Sequence, residues 1–354
     1  MLDQAVKVAQ SPSVTKNDYA ALKALVSEAG LLDAQGTYYA VKLAYTLALF
    51  AAGIALLVAL SGWARVLVVA PYLAFVCAQL GFLAHDLGHK QVFRARGTDS
   101  DANYNSIRLN RWIGMLVANL LVGMSLGWWV DKHNAHHANP NHDGLDPDID
   151  IPFMAFSDEQ VQRKRGAARL ATGYQAFLFF PALTFTVYSM QVASVLYVIR
   201  DRYRWRAPDA VLLGAHFLLY YVGLPLLLGP WMGLAFILIH RGLLGVMLGG
   251  VFAPNHKGML VVGKDDTRLD FLRKQVLTSR NVRSTPLIDF LYGGLNHQAV
   301  HHLFPTMPRN QLGRAGEITR QFCLGRDIPY YVTGVRQSFQ EILQSLHETA
   351  APLR

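Results

Sequence analysis

The sequence predicts an all-α integral membrane protein: four transmembrane helices in two hairpins, interfacial helices between them, and a histidine-rich cap on the cytosolic side. Three observations predict it. Of 354 residues, 52% are hydrophobic and only 16% are charged, against about 25% charged in a typical soluble domain. Four runs reach the roughly 20 apolar residues that a helix needs to cross a bilayer. Eight histidines, counting His297, gather in or beside three short clusters, and a ninth, His256, lies upstream of the last. All of these sit beyond the ends of the apolar runs.

The elements follow in order. The first 35 residues carry Asp3, Lys7, Lys16, Asp18, Lys23, Glu28 and Asp33. Such spacing of charge excludes a signal peptide and predicts an amphipathic cytosolic lead-in over residues 1–39. Residues 40–60 and 65–84 form the first hairpin, turning at Ser61-Gly62-Trp63-Ala64. Residues 209–228 and 231–253 form the second, turning at Gly229-Pro230. Residues 112–127 are short for a span and read as interfacial or re-entrant.

Residues 172–198 are read from their flanks. Arg163, Lys164, Arg165 and Arg169 precede them, and Arg200, Arg202, Arg204 and Arg206 follow. Basic flanks favour the cytosol, and a single span would part them. The segment therefore lies in the interface or dips into it. All three clusters and His256 then fall on one cytosolic face. Residues 40–330 form the membrane domain on this reading, with 331–354 a cytosolic tail.

The formal charge of +9 points to anionic lipid or acidic partners. It does not point to nucleic acid, since no long soluble stretch is present to carry a recognition element. Two cysteines, Cys77 and Cys323, exclude a disulfide scaffold and a cysteine-based zinc site.

The clusters carry the chemistry. His85-Asp86-Leu87-Gly88-His89 places two imidazoles four residues apart, on one face if the helix continues. His133-Asn134-Ala135-His136-His137 adds three more at helical spacing, after Trp128-Trp129, which suit the headgroup level. Asn139-Pro140-Asn141-His142-Asp143-Gly144 then breaks the helix, and His142 reads as a loop histidine. Gln298-Ala299-Val300-His301-His302 is the third set. His256 follows Asn255 just past the last span and joins the ligand candidates. Histidine is the commonest metal ligand, and a catalytic zinc usually needs only three protein ligands. Two metals account for the number here. Iron pairs activate dioxygen, and a lipid-embedded site makes an unactivated C–H bond the target. Asp86, Asp146, Asp148 and Asp150 are candidates to accept imidazole N–H bonds behind the ligands; a solvated loop explains the last three equally well. His216 reads as a hydrogen-bonded core residue. His240 and Arg241 fall mid-span, where ionisable groups are costly. Either that helix protrudes or Arg241 has a buried partner.

The chain resembles the membrane fatty acid desaturases from about residue 40 to 330. The three clusters match that family's HxxxH, HxxHH and (H/Q)xxHH boxes in kind, order and placement. Finer strings resemble the front-end, linoleoyl-CoA-type branch. These are Gly127-Trp128-Trp129 before the second box, Asp146-Pro147-Asp148 after it, Gly293-Gly294-Leu295-Asn296 before the third, and His301-His302-Leu303-Phe304-Pro305-Thr306. Gln298 in place of the third box's first histidine is typical of that branch.

The resemblance implies a diiron centre that removes two hydrogens from adjacent methylenes of a fatty acyl chain. It uses O2, gives water, and draws two electrons from an external donor; no catalytic residue is expected beyond the metal centre. By position, His85, His89, His133, His136, His137, His301 and His302 would be ligands, with His256 as the extra histidine after the final span. By the same resemblance Asn255 would position a metal-bound water, and Gln298 would be a weak or indirect ligand. His297 stands where the branch usually has an aromatic residue. On a helix it cannot point the same way as Gln298, and Gln298 is the one expected to face the metals.

Many eukaryotic front-end enzymes carry a fused cytochrome b5 with a His-Pro-Gly-Gly motif. That motif is not in this sequence, which implies a separate ferredoxin or cytochrome b5-type donor. The expected substrate is an acyl-CoA or acyl-lipid, and the expected location a multi-pass membrane protein, in a bacterial plasma membrane rather than the endoplasmic reticulum. A diiron lipid hydroxylase or sphingolipid-modifying oxygenase shares the boxes and is the first alternative. A metal transporter predicts ligands inside the spans, which is not the pattern here. A membrane zinc protease needs Glu after the first histidine of its motif, where this chain has Asp86.

Overall fold

The computed structural model describes residues 18–94 and 100–354. Asp3, Lys7 and Lys16 of the lead-in lie outside the described residues. The described chain is helical apart from two strands of two residues each. It divides into two compact units. Among the described residues, one comprises those within 34–131 and 181–250; the other comprises those within 18–33, 132–180 and 251–354.

The first unit holds the long apolar helices. Four helices are long and apolar enough to cross a membrane: Gly36–Ala59, Arg65–Gly88, Arg206–Leu228 and Pro230–His256, the last ending in the second unit. They are the four predicted runs, each extended by a few residues. Leu226 is 81% exposed and Trp231 79% exposed. Large apolar side chains exposed in such density mark a surface that lipid covers. Inside, Leu57, Val66 and Leu73 of the first hairpin pack with Leu224, Leu228 and Phe236 of the second. Gly53 permits the first hairpin's close approach, since a Cβ there would sit 2.4 Å from Leu73 Cδ2.

The two ambiguous stretches are both broken. Ser100–Val122 and Leu126–Ala138 meet at 107°, and Gln175–Leu183 and Thr186–Arg200 meet at 72°. Neither is a straight span. At the first break Gly123 takes φ +89°, a left-handed turn that closes a helix cheaply only for glycine.

The second unit is smaller-grained. Its core joins Leu22 and Val26 of the Asp18–Glu28 helix to Leu272, Val276, Val300, Leu303 and Leu312. Asp18 is buried and bridges Arg273 at 3.1 Å and Arg326 at 3.2 Å. Strand Asn281–Val282 runs parallel to Val332–Thr333, with Asn281 opposite Val332. The C-terminal helix Val335–Thr349 buries Ser338, Ile342 and Leu346.

Candidate metal centre

Three elements bring imidazoles together within the second unit. The Leu126–Ala138 helix supplies His133, His136 and His137; the end of Pro230–His256 supplies His256; the Gln298–Leu303 helix supplies His301 and His302. Ring centroids lie 4.6 Å apart for His136 and His256, 4.9 Å for His136 and His302, and 4.7 Å for His256 and His302. His137 stacks on His302 at 4.1 Å and meets His301 at 4.7 Å. One nitrogen each of His136, His256 and His302 lies within 4.8 Å of the others.

Hydrogen bonds set which nitrogen carries the proton. Nδ1 of His136 faces both oxygens of Asp146 at 3.0 Å. Nδ1 of His256 faces the carbonyl of Thr278 at 3.0 Å. Nδ1 of His302 faces Gln275 Oε1 at 2.9 Å. Each partner is an acceptor, so each Nδ1 is the donor, and a neutral ring then carries a lone pair on Nε2. Those Nε2 atoms converge: His136 and His256 approach to 3.3 Å. His302 Nε2 is buried without a hydrogen-bond partner among the described residues. The Gln298 amide reaches His256 Nε2 from the side, and a cation bound between the two facing rings would turn their close approach into coordination. The residues present fit a metal.

Electrostatics agree. Burial, then the neighbouring imidazoles of His137, His256, His136 and His301, hold His302 well below the ordinary imidazole range. It stays neutral and able to bind metal. Burial alone would raise the Asp146 carboxyl. The bond from His136, its charge, Lys257 and the Asn141 N–H outweigh this and keep Asp146 below its usual range. Burial pulls Lys257 down to about 8, against the pull of Asp146.

Gln298 and Asn255 stand beside the cluster. Gln298 Nε2 lies 2.9 Å from His256 Nε2, and Asn255 Nδ2 donates to Gln298 Oε1 at 2.9 Å. His297 turns elsewhere, to 3.5 Å from Asp289 and against Gly313 and Gly316. The structure does not bring His297 to the cluster. Of the aspartates, Asp148 approaches His136 at 3.5 Å and pairs with Lys132. Asp150 instead lines a separate polar cavity with Asp143, Gln160 and Lys164. His142 sits in a turn against the carbonyl of Asp143.

In the first unit His85 and His89 are buried, with ring centroids 4.7 Å apart. His85 Nδ1 lies 3.1 Å from Asp86. Trp129 packs 5.3 Å from His85 and 5.8 Å from His89. Gly88 makes room for that ring, since a Cβ would sit 2.3 Å from Trp129. Arg241 proves to have buried partners: it donates to the Val122 carbonyl at 2.8 Å, contacts His216 Nε2, and lies over Tyr220 at 4.0 Å. His216 is held at Nδ1 by the carbonyl of Leu120.

Sequence reasoning missed Gln275, Thr278 and Asn141. Gln275 also donates to the His137 carbonyl at 2.9 Å, and Asn141 to the His256 carbonyl at 2.9 Å. Nothing in their spacing marks them; each acts on a box residue distant in sequence.

Comparison with known proteins finds a match to the model of the family described as fatty acid desaturase, over residues 61–334. The chain is 30% identical to the acyl-lipid (9-3)-desaturase of Physcomitrium patens, over 97% of this chain and 64% of that protein. It is 30% identical to the Delta(6)-fatty-acid desaturase fat-3 of Caenorhabditis elegans, over 98% and 77%. It is 28% identical to a Delta 8-(E)-sphingolipid desaturase of Emericella nidulans, over 96% and 63%. The chain thus spans about two thirds to three quarters of the length of these relatives.

Proposed function

We propose that this chain, a member of the fatty acid desaturase family, is an oxygen-dependent fatty acyl desaturase of front-end type that inserts a cis double bond. One observation supports the metal chemistry behind this reading: His136, His256 and His302 each bring a ring nitrogen within 4.8 Å of the others while an acceptor faces each Nδ1. The names of the relatives support the acyl substrate.

The residues that would hold two irons are His133, His136, His137, His256, His301 and His302. His85 and His89 join them on the strength of the box motif. When bound, the iron pair supplies the O2-dependent removal of two hydrogens from neighbouring methylenes. The protein's own part is to fix geometry and protonation. Asp146, Thr278 and Gln275 accept from Nδ1 of three imidazoles and fix how those rings are turned. Asn255 orients Gln298, whose amide carbonyl is engaged and whose NH2 faces His256.

Electrons come from an external ferredoxin or cytochrome b5-type donor. The excess of basic residues suits an acidic docking partner. Reconstituted turnover should fall with rising salt and with charge reversal of basic residues; indifference to both removes that docking mode. The active site faces the cytosol on the charge argument.

The decisive experiment is lipid analysis of a host expressing the chain. Desaturation gives acyl products two mass units lighter, with double bonds that can be located; hydroxylation gives a gain of one oxygen and refutes the desaturase reading. In the same host, His136→Ala should abolish the product and lower bound iron while the protein still inserts. Retained turnover in that variant removes His136 from the ligand set.

A further inference from the structure

We propose that Arg280 and Asn281 are positioning residues that fix the spacing between the helix end bearing His256 and the short helix bearing His301 and His302; this rests on the reading of those histidines as iron ligands. The last carbonyls of any helix lack intrahelical partners. At the end of Pro230–His256 a single residue takes two of them, and the carbonyl of Lys257 just past it as well. Arg280 donates its backbone N–H to the Asn255 carbonyl at 2.6 Å. Its Nη1 donates to the carbonyls of Pro254 at 2.8 Å and Lys257 at 2.9 Å. The backbone on both sides of His256 is therefore held by one side chain that is fully buried. A cation at a helix C-terminus also suits the helix dipole.

The next residue does the converse job. Asn281 Oδ1 accepts the N–H of Ala299 at 3.1 Å, in the first turn of Gln298–Leu303. Its Nδ2 donates to the Tyr331 carbonyl at 3.1 Å. Arg280 immediately precedes the Asn281–Val282 strand, whose first residue is Asn281. One dipeptide thus reaches a helix end with its first residue and a helix start with its second. Adjacent Cα atoms are about 3.8 Å apart, so this spacer has almost no slack.

The spacer is anchored in turn by the C-terminal helix. Arg280 Nη2 pairs with Glu341 at 2.9 Å, and Tyr331 donates its hydroxyl to the same carboxylate. The pairing of Asn281 with Val332 completes the frame. Among the described residues, the hydrogen bonds of Arg280 and Asn281 go to backbone groups and not to an imidazole. Their effect on metal passes through the backbone.

The test uses the full chain, purified in detergent and loaded with 57Fe. Wild type, Asn281→Ala, Asn281→Asp and Glu341→Gln are compared by iron per chain over a chelator series, by Mössbauer spectrum and by thermal midpoint. Changes to partners behind ligands typically cost 10–100-fold in metal affinity. Asn281→Ala should lose iron at roughly 10-fold lower chelator or less, with an altered spectrum. Asn281→Asp keeps the acceptor for the Ala299 N–H but loses the bond to the Tyr331 carbonyl, and should recover both in part. Glu341→Gln, the gentler change to the Arg280 arm, should shift the spectrum in the same direction as Asn281→Ala. The proposal is overturned if Asn281→Ala holds iron with a wild-type spectrum, or if iron loss merely tracks a lower thermal midpoint and Asn281→Asp restores nothing. Iron-replete wild type with unaffected variants overturns this proposal alone. Wild type that takes up no iron overturns it together with the ligand assignment.

Discussion

Gln275 Oε1 accepts the Nδ1 proton of His302 at 2.9 Å, while the same side chain's Nε2 donates to the His137 carbonyl at 2.9 Å. One amide therefore fixes the tautomer of one box histidine and the backbone of another. Gln275→Leu removes both bonds with little change in volume. It frees His302 to place its proton on Nε2, where it blocks coordination. We expect a 10–100-fold loss of iron affinity and a matching loss of turnover. Gln275→Glu keeps the acceptor and should lose much less. Iron content after dialysis against graded chelator measures both, and equal retention by Leu and Glu contradicts the assignment.

How much of this was legible beforehand follows from the physics of each feature. The four spans were legible because lipid demands long unbroken apolar runs. The boxes were legible because three imidazoles within His133–His137 have few other uses. The bend after Val122 was half legible: the run from 112 to 127 is too short to span, yet only the structure shows that Gly123 makes the turn. Gln275, Thr278 and Arg280 were not legible. A lone glutamine, a backbone carbonyl and an arginine in an ordinary polar stretch acquire roles only when tertiary closure sets them behind ligands. That His297 and Gln298 cannot both face one way was legible from helical geometry, but the preference for Gln298 rested on the family resemblance. The destination of His297 against Gly313 and Gly316 was not legible, because it depends on a later helix.

Asp146 gives a pH prediction. Its carboxyl lies below the ordinary 3.8 in the folded protein. A depressed carboxylate contributes stability that is fully present above the unfolded value and is lost as the pH falls through the folded one. The thermal midpoint of the metal-free protein should therefore decline on acidification below about pH 4. Asp146→Asn should flatten that part of the decline and lower the midpoint at neutral pH, where the charged bond to His136 is gone. Parallel curves for the two proteins from pH 6 to pH 3 would refute this.

Metal removal supplies a third prediction. A ligand that binds only the folded state stabilises it by about 4 kcal/mol at 1,000 times its dissociation constant. Here the gain should be large, since the cation also relieves the approach of His136 Nε2 to His256 Nε2 at 3.3 Å. Adding ferrous iron anaerobically to chelated protein should raise the thermal midpoint by several degrees. His302→Ala should respond far less, because one of the three converging nitrogens is missing. An unchanged midpoint on iron addition to wild type speaks against a folded-state metal site.

The turn after Val122 is held by side chains from neighbouring helices, and that arrangement is testable at one atom. Arg241 takes the Val122 carbonyl at 2.8 Å, and Gln191 the Gly123 carbonyl at 3.2 Å. Ser194 Oγ accepts the Ser125 N–H, and Asn119 Oδ1 the Leu126 N–H, each at 3.0 Å. In an apolar surrounding each of these backbone groups would otherwise go unpaired, at a cost of several kcal/mol. Gly123 has φ +89°, and a Cβ there would sit 2.3 Å from His216 Nε2. Gly123→Ala thus combines backbone strain with overpacking and should cost about 2–4 kcal/mol. It should also lower iron loading, because the helix that begins at Leu126 carries His133, His136 and His137. Trimming the other side of the clash, in Gly123→Ala/His216→Ala, should recover part of the loss relative to additivity. Recovery can only be partial, since the left-handed strain remains and Arg241 loses a partner. Detergent-solubilised thermal midpoints of the two single variants and the double variant decide it. Strict additivity, or a Gly123→Ala protein as stable as wild type, means the contact with His216 does not govern this turn.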